Sequence, residues 1–328
     1  MNLHRAANIP PLVLGPQAVA KLLRSEAPPR ILDATWFLNA PGATPRNALD
    51  EFRRGPRVPT SSFWDVDQIA TRGESVRNLP HMMPSAAQFA EAARKHGIAR
   101  SSHVVVYDRL GVFSAPRTVF TFRAFGHPRV SLLDGGLPAW EEAGLPLETA
   151  PPSEPQPLDA SAYPTPELSS AWIRSFDEML ANIGAGMRRQ TVLDARPAAR
   201  FAGTAPEPRP GVASGHIPGS VSLPFPAVLA ERGGTAGAKY TVMREQHELW
   251  QIIDRALADA GGIDKLRHDA SAKDAVGVSL TCGSGMTAAV LWLALQQLGI
   301  DGGIYDESWM GWGARAANGE APVAKSAE

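Results

Sequence analysis

Short aliphatic and β-branched runs recur along the chain, separated by longer stretches whose apolar positions fall at helical spacing. TVLDA (191–195), VSLPF (221–225) and VGVSL (276–280) read as short buried strands. AAQFAEAARKHGI (86–98) carries a helical apolar stripe that should stop at Gly97. TAAVLWLALQQLGI (287–300) is apolar almost all round, which predicts a buried helix closed by Gly299. Strands alternating with helices predict an α/β fold built on a mostly parallel sheet.

The pattern occurs twice. ILDATW at 31 matches VLDARP at 192, setting Asp33 against Asp194 at an offset of 161. VPTSSFWDV at 58 matches IPGSVSLPF at 217, offset 159, and VVVYD at 104 matches VSLTC at 278, offset 174. LLDGGLPAW at 132 matches IYDESWMGW at 304, and both are expected to end in a tryptophan-bearing turn. The growing offset predicts an insertion around 259–275. Residues 148–168, ETAPPSEPQPLDASAYPTPEL, are proline-rich and aperiodic, as a stiff, exposed connection would be. The expected organisation is a first domain over 1–150, a linker over 151–168 and a second domain over 169–328.

Composition narrows the function classes. Hydrophobic residues make up 44% and the formal charge is −1, so neither disorder nor a nucleic-acid-binding surface is indicated. No apolar run approaches the ~18 residues of a membrane helix. A single cysteine permits no internal disulfide and suits a reducing, cytoplasmic setting. The first 25 residues lack Asp and Glu and carry Arg5, Lys21 and Arg24, as mitochondrial presequences do, although residues 12–33 already read as folded domain.

That cysteine, Cys282, stands at the end of a strand and opens the loop CGSGMT before the apolar helix. Sites in parallel α/β sheets form at such strand ends. A short loop of small residues can turn successive N–H groups towards one centre, and the helix behind adds its positive end. A thiol there has its thiolate favoured. Gly283 and Gly285 permit the tight path, and Ser284 adds a hydroxyl within reach of the sulfur or of a substrate. A cysteine phosphatase loop would need Arg at 288, which is Ala, and a papain-like arrangement needs a later His, of which there is none. In the first copy the matching residue is Asp108, so that copy carries no nucleophile.

Taken in order, LDATW, PHMMPSAAQFA, VVVYDRLGVFSAPR, LDARPAARF, EPRPGVASGHIPGS, CGSGMT and YDESWMGWGAR resemble the two-domain rhodanese superfamily of sulfurtransferases over about residues 11–316. The loop is most similar to the Cys-Gly-Ser-Gly-Val-Thr type of 3-mercaptopyruvate sulfurtransferases, with Met286 in place of Val, followed by Thr287. The resemblance implies two tandem rhodanese-like domains and transfer of sulfur through a Cys282 persulfide, releasing pyruvate. A small thiol, cyanide or a reduced thioredoxin-like protein would be the acceptor, without metal or cofactor. It assigns Arg200 and Arg209 to the substrate's carboxylate and oxo groups, and Asp67 and His81 to a relay with Ser284. The stretch between Asp67 and His81 is slightly longer than in the family. Arg196 and His216 read as structural. Thiosulfate sulfurtransferases more often carry cations after the Cys, and Gly283 and Ser284 are neutral. The competing readings are thiosulfate:cyanide transfer, a persulfide carrier for tRNA thiolation or cofactor assembly, and a silent interaction module.

Overall fold

The computed structural model describes residues 9–39, 42, 44–184, 190–234, 238–271 and 277–325. The chain forms two compact units. The first contains β1 (Val13–Leu14), β2 (Arg30–Asp33), β3 (Ser62–Phe63), β4 (Val104–Tyr107) and β5 (Val130–Leu133). Between and beyond these strands run α1 (Pro16–Leu23), α2 (Ala48–Arg54), α3 (Val66–Ile69), α4 (Ala86–Lys95), α5 (Ala115–Ala124) and α6 (Gly136–Glu142). The second unit's sheet contains β6 (Ile173–Arg174), β7 (Val192–Asp194) and β8 (Val221–Ser222). A ribbon, β9 (Leu229–Gly233) and β10 (Lys239–Met243), precedes its last two strands, β11 (Val278–Thr281) and β12 (Gly302–Tyr305). Its helices are α7 (Phe176–Gly184), α8 (Ala198–Ala202), α9 (Gln246–Ala256), α10 (Gly262–Ser271), α11 (Ala288–Gln297) and α12 (Ser308–Ala317).

The two large sheets share one strand order, β1-β5-β4-β2-β3 and β6-β12-β11-β7-β8, and every pairing in them is parallel. This is the α/β repeat that the sequence predicts. The central strands β4 (VVVY) and β11 (VSLT) are buried at all positions, as strands covered on both faces must be. The register repeats as well: Asp33 pairs Tyr107, and Asp194 pairs Thr281. Asp108 and Cys282 therefore leave equivalent strand ends. The N-caps of α4 and α9, Ser85 and Glu245, are 160 apart, so the offset of 174 arises after α9, where α10 lies.

Three expectations need correction. Trp140 and Trp312 sit on helices α6 and α12 rather than in turns, because Gly136 (φ 56°) and Ser308 (φ 50°) swing the chain from strand straight into helix. Each indole N–H then donates to a proline carbonyl, Pro146 or Pro322, closing the repeat. The proline-rich connection is not wholly exposed. Tyr163 is fully buried in the first unit, stacked on His127 and edge-on to Phe89, and Leu158 N–H donates to Arg94 O. The units also exchange short segments: residues 71–83 group with the second unit and 231–243 with the first.

Candidate active site

Cys282 is 1% exposed at the end of β11. Its carbonyl and that of Gly283 accept the N–H groups of Trp309 (2.8 Å) and Met310 (3.0 Å) in the first turn of α12. Cys282 N–H donates to Ser308 Oγ at 3.4 Å, and that hydroxyl donates to Tyr305 O. In a trans peptide C=O and N–H point oppositely, so holding these two carbonyls on α12 turns the N–H groups of Gly283 and Ser284 to the other side. Among the described residues, the N–H groups of Gly283, Ser284, Met286 and Thr287 donate to no protein acceptor. Gly285 (φ 81°) makes the left-handed turn that lets the loop close. Behind it α11 begins after Thr287 without a side-chain cap, so its positive end faces the loop. Met286 is buried and Thr287 half-buried. Ser308, which locks the strand end, carries no local signal in the sequence.

The first unit shows what this loop does with an anion. Asp108, 0% exposed, accepts Leu110 N–H on Oδ1 and the N–H groups of Phe113, Ser114 and Ala115 on Oδ2, all at 2.9 Å. Four amides converge on one carboxylate, and α5 starts behind it. The mouth is covered by β10: Val112 N–H donates to Thr241 Oγ1 at 3.1 Å, and a Cβ on Gly111 would lie 2.3 Å from Thr241 O. The first copy's loop is thus filled from within by its own anion and closed from outside. In the second copy the amides of Ser284 and Thr287, which match those of Leu110 and Phe113, meet no protein acceptor among the described residues, and a thiol stands in place of the carboxylate.

Arg200, on α8, reaches this loop: a Cβ on Gly283 would lie 3.6 Å from Arg200 Nη2. Arg200 is forked on Glu207, with Nε donating to Oε1 at 3.3 Å and Nη2 to Oε2. Arg196 Nη1 shares Glu207 Oε1 at 2.9 Å. Arg196 itself is buried, paired with Asp194 at 2.7 Å, bonded to Gly215 O and laid over the Trp309 ring at 4.1 Å. Its role is structural. Arg209 is exposed and makes no ion pair or hydrogen bond among the described residues. His216 is structural too, stacked on Phe201 at 3.8 Å with Nδ1 bonded to Phe201 O.

His81 arrives from the exchanged segment and belongs to the second unit, although its sequence position lies within the first copy. It is 2% exposed, adopts φ 59°, and its Nδ1 lies 2.9 Å from Ser284 Oγ. The segment is pinned by an antiparallel bridge from Thr71 to Met82 and by Met83 N–H donating to Asp306 Oδ2 at 2.9 Å. Asp67 belongs to the first unit, where Oδ2 accepts the Trp36 indole N–H at 3.0 Å. The second unit therefore brings together Cys282, Ser284, His81 and Arg200.

The chain is similar to known proteins in sequence and in fold. The family model for the Rhodanese-like domain matches residues 68–143 and 175–315. A Schizosaccharomyces pombe protein named as a probable 3-mercaptopyruvate sulfurtransferase is 38% identical, over 87% of this chain and 87% of its own. Human 3-mercaptopyruvate sulfurtransferase is 36% identical, over 92% and 91%. The crystal structure of SseA from Escherichia coli, described under the "Rhodanese" fold and mechanism of 3-mercaptopyruvate sulfotransferases, matches with TM-score 0.70 at 28% identity, covering 92% of this chain and 99% of that one. With the doubled parallel sheet and the strand-end cysteine already in place, these matches make the chain a member of the rhodanese family, carrying two rhodanese-like domains.

Proposed function

We propose that the chain is a sulfurtransferase that takes sulfur from 3-mercaptopyruvate, holds it as a Cys282 persulfide and passes it to an acceptor. The Cys282 thiolate attacks the donor's sulfur, the new S–S bond forms, and the C–S bond breaks with its electron pair moving onto carbon. The resulting pyruvate enolate takes up the proton that the donor thiol gives up, so the half-reaction closes on pyruvate and persulfide. Ser284 and His81 carry that proton. Asp67 is kept as the acid of this relay on the family resemblance alone. The open amides of Gly283, Ser284, Met286 and Thr287 stabilise the anionic persulfide. Arg200 and Arg209 hold the carboxylate and oxo groups by charge-assisted hydrogen bonds.

The observation that carries this reading is the loop opened by Cys282, in which the N–H groups of Gly283, Ser284, Met286 and Thr287 meet no acceptor among the described residues, with Arg200 beside Gly283. The acceptor is a small thiol, cyanide or a reduced thioredoxin-like protein. No helix among the described residues is long and apolar enough to cross a bilayer. Turnover of 3-mercaptopyruvate and thiosulfate at matched concentrations tests donor choice. Preference for mercaptopyruvate is expected, because Gly283 and Ser284 place no cation beside a compact dianion. A preference for thiosulfate overturns the donor assignment.

A further inference from the structure

Glu207 presents a question of sign. A buried carboxylate, its side chain 3% exposed, sits against the guanidinium that faces the loop. On charge alone it should weaken the binding of any anion there. We infer that Glu207 is a positioning residue that fixes the plane of Arg200, so that the free edge of the guanidinium meets the carboxylate or oxo group of a 2-oxo acid donor. The inference rests on the sulfurtransferase reading above.

Guanidinium carries its five N–H groups in a rigid plane. Glu207 takes the side made by Nε and one N–H of Nη2. The end formed by Nη1 and the remaining N–H of Nη2 has no partner among the described residues, and Nη2 is the atom nearest Gly283. An Arg on a solvated helix samples many rotamers, and holding one of them preserves its directional contacts for the ligand. Glu207 can hold it because Glu207 is itself held. Its Oε1 also accepts Arg196 Nη1, and Arg196 is locked by Asp194, Gly215 O and the Trp309 ring. Trp309 is also the residue whose N–H holds the Cys282 carbonyl. One frame therefore sets both the nucleophile's strand end and the arginine's plane.

Steady-state kinetics on Glu207→Gln, Glu207→Asp, Arg200→Ala and the double variant Arg200→Ala/Glu207→Gln tests this with 3-mercaptopyruvate as donor. Gln keeps an acceptor for Arg196 but removes the charge, so simple electrostatics lowers KM whereas loss of positioning raises it. Glu207→Gln is expected to raise KM about tenfold with kcat within about twofold. Glu207→Asp keeps the charge, withdraws the fork by one methylene and is expected to raise KM as well. The double variant is expected to match Arg200→Ala alone, since Glu207 acts only through that arginine. An unchanged or lowered KM in folded Glu207→Gln or Glu207→Asp overturns the inference, as does full additivity in the double variant. Failure of the underlying reading looks different: the wild-type protein would then take no sulfur from 3-mercaptopyruvate at all.

Discussion

Removing the Asp108 carboxylate should cost the first unit much of its stability and the enzyme little of its activity. In Asp108→Ala, four N–H groups, from Leu110, Phe113, Ser114 and Ala115, lose the acceptor that each now meets at 2.9 Å. A buried donor left unsatisfied costs about 1–3 kcal/mol. The four share one acceptor, and water entering the vacated space would recover part of the loss, so a net of about 3–5 kcal/mol is expected rather than the full sum. For a unit of this size that lowers the midpoint of its thermal transition by roughly 10 °C. Thermal unfolding followed by circular dichroism, with sulfur-transfer assays below the transition, measures both effects. Asp108→Asn, which keeps one oxygen but turns an NH₂ towards at least one amide, should fall between. High formate, supplying a small carboxylate to the emptied nest, should restore part of the Ala variant's midpoint. A variant as stable as the wild type would refute the view that these loops are organised around an anion.

Arg200→Ala and Arg209→Ala should each raise KM for 3-mercaptopyruvate by about tenfold to a hundredfold, the loss of one charge-assisted contact of about 1.5–3 kcal/mol, with kcat little changed. Ser284→Ala and His81→Gln should instead lower kcat with saturating donor, and equal loss in a variant carrying both would mark the 2.9 Å pair as one unit. Acid should weaken the first unit before the second. Burial lowers His96, His103 and His127 to about 4, so between their ordinary value of 6.5 and about 4 the unfolded chain binds protons that the folded unit does not, and stability falls with pH by at most about 1.4 kcal/mol per unit for each histidine. Asp33, raised by burial, opposes this, because the folded unit then binds a proton that the unfolded chain does not. Urea midpoints from pH 7 to 5 check the direction. Gly283→Arg with Ser284→Lys should shift the donor ratio towards thiosulfate by about tenfold, from two added cations near the loop, one charge pair at ~4 Å being attractive by about 4 kcal/mol at a surface-like dielectric before desolvation and screening. An unchanged ratio would move specificity away from the loop's side chains.

Much of this architecture is visible in the sequence because it is carried by short-range pattern. Strand runs such as VVVY and VSLT, the glycine stop after α11 and the opposition of Asp108 to Cys282 all follow from residue order and offset. What escapes is contact between residues far apart in the chain. Nothing around Thr241 announces that β10 closes the first copy's loop, and His81 and Met83 give no local sign of grouping with the second unit. Tyr163 looks like part of a solvated linker because one buried ring in a proline-rich run has no periodicity to reveal it. Glu207 reads as a surface acid within APEPRP until the fold brings Arg196 and Arg200 to either side of it.

The central claim is that Cys282 itself carries the transferred sulfur. Intact-protein and peptide mass spectrometry after exposure to 3-mercaptopyruvate, then after addition of a thiol or cyanide, tests it directly. The wild-type protein should gain one sulfur on the peptide containing Cys282 and lose it to the acceptor, while Cys282→Ser, close to isosteric and still folded, should gain none. A sulfur-free Cys282 during turnover, or sulfur transfer by the serine variant, would contradict the mechanism.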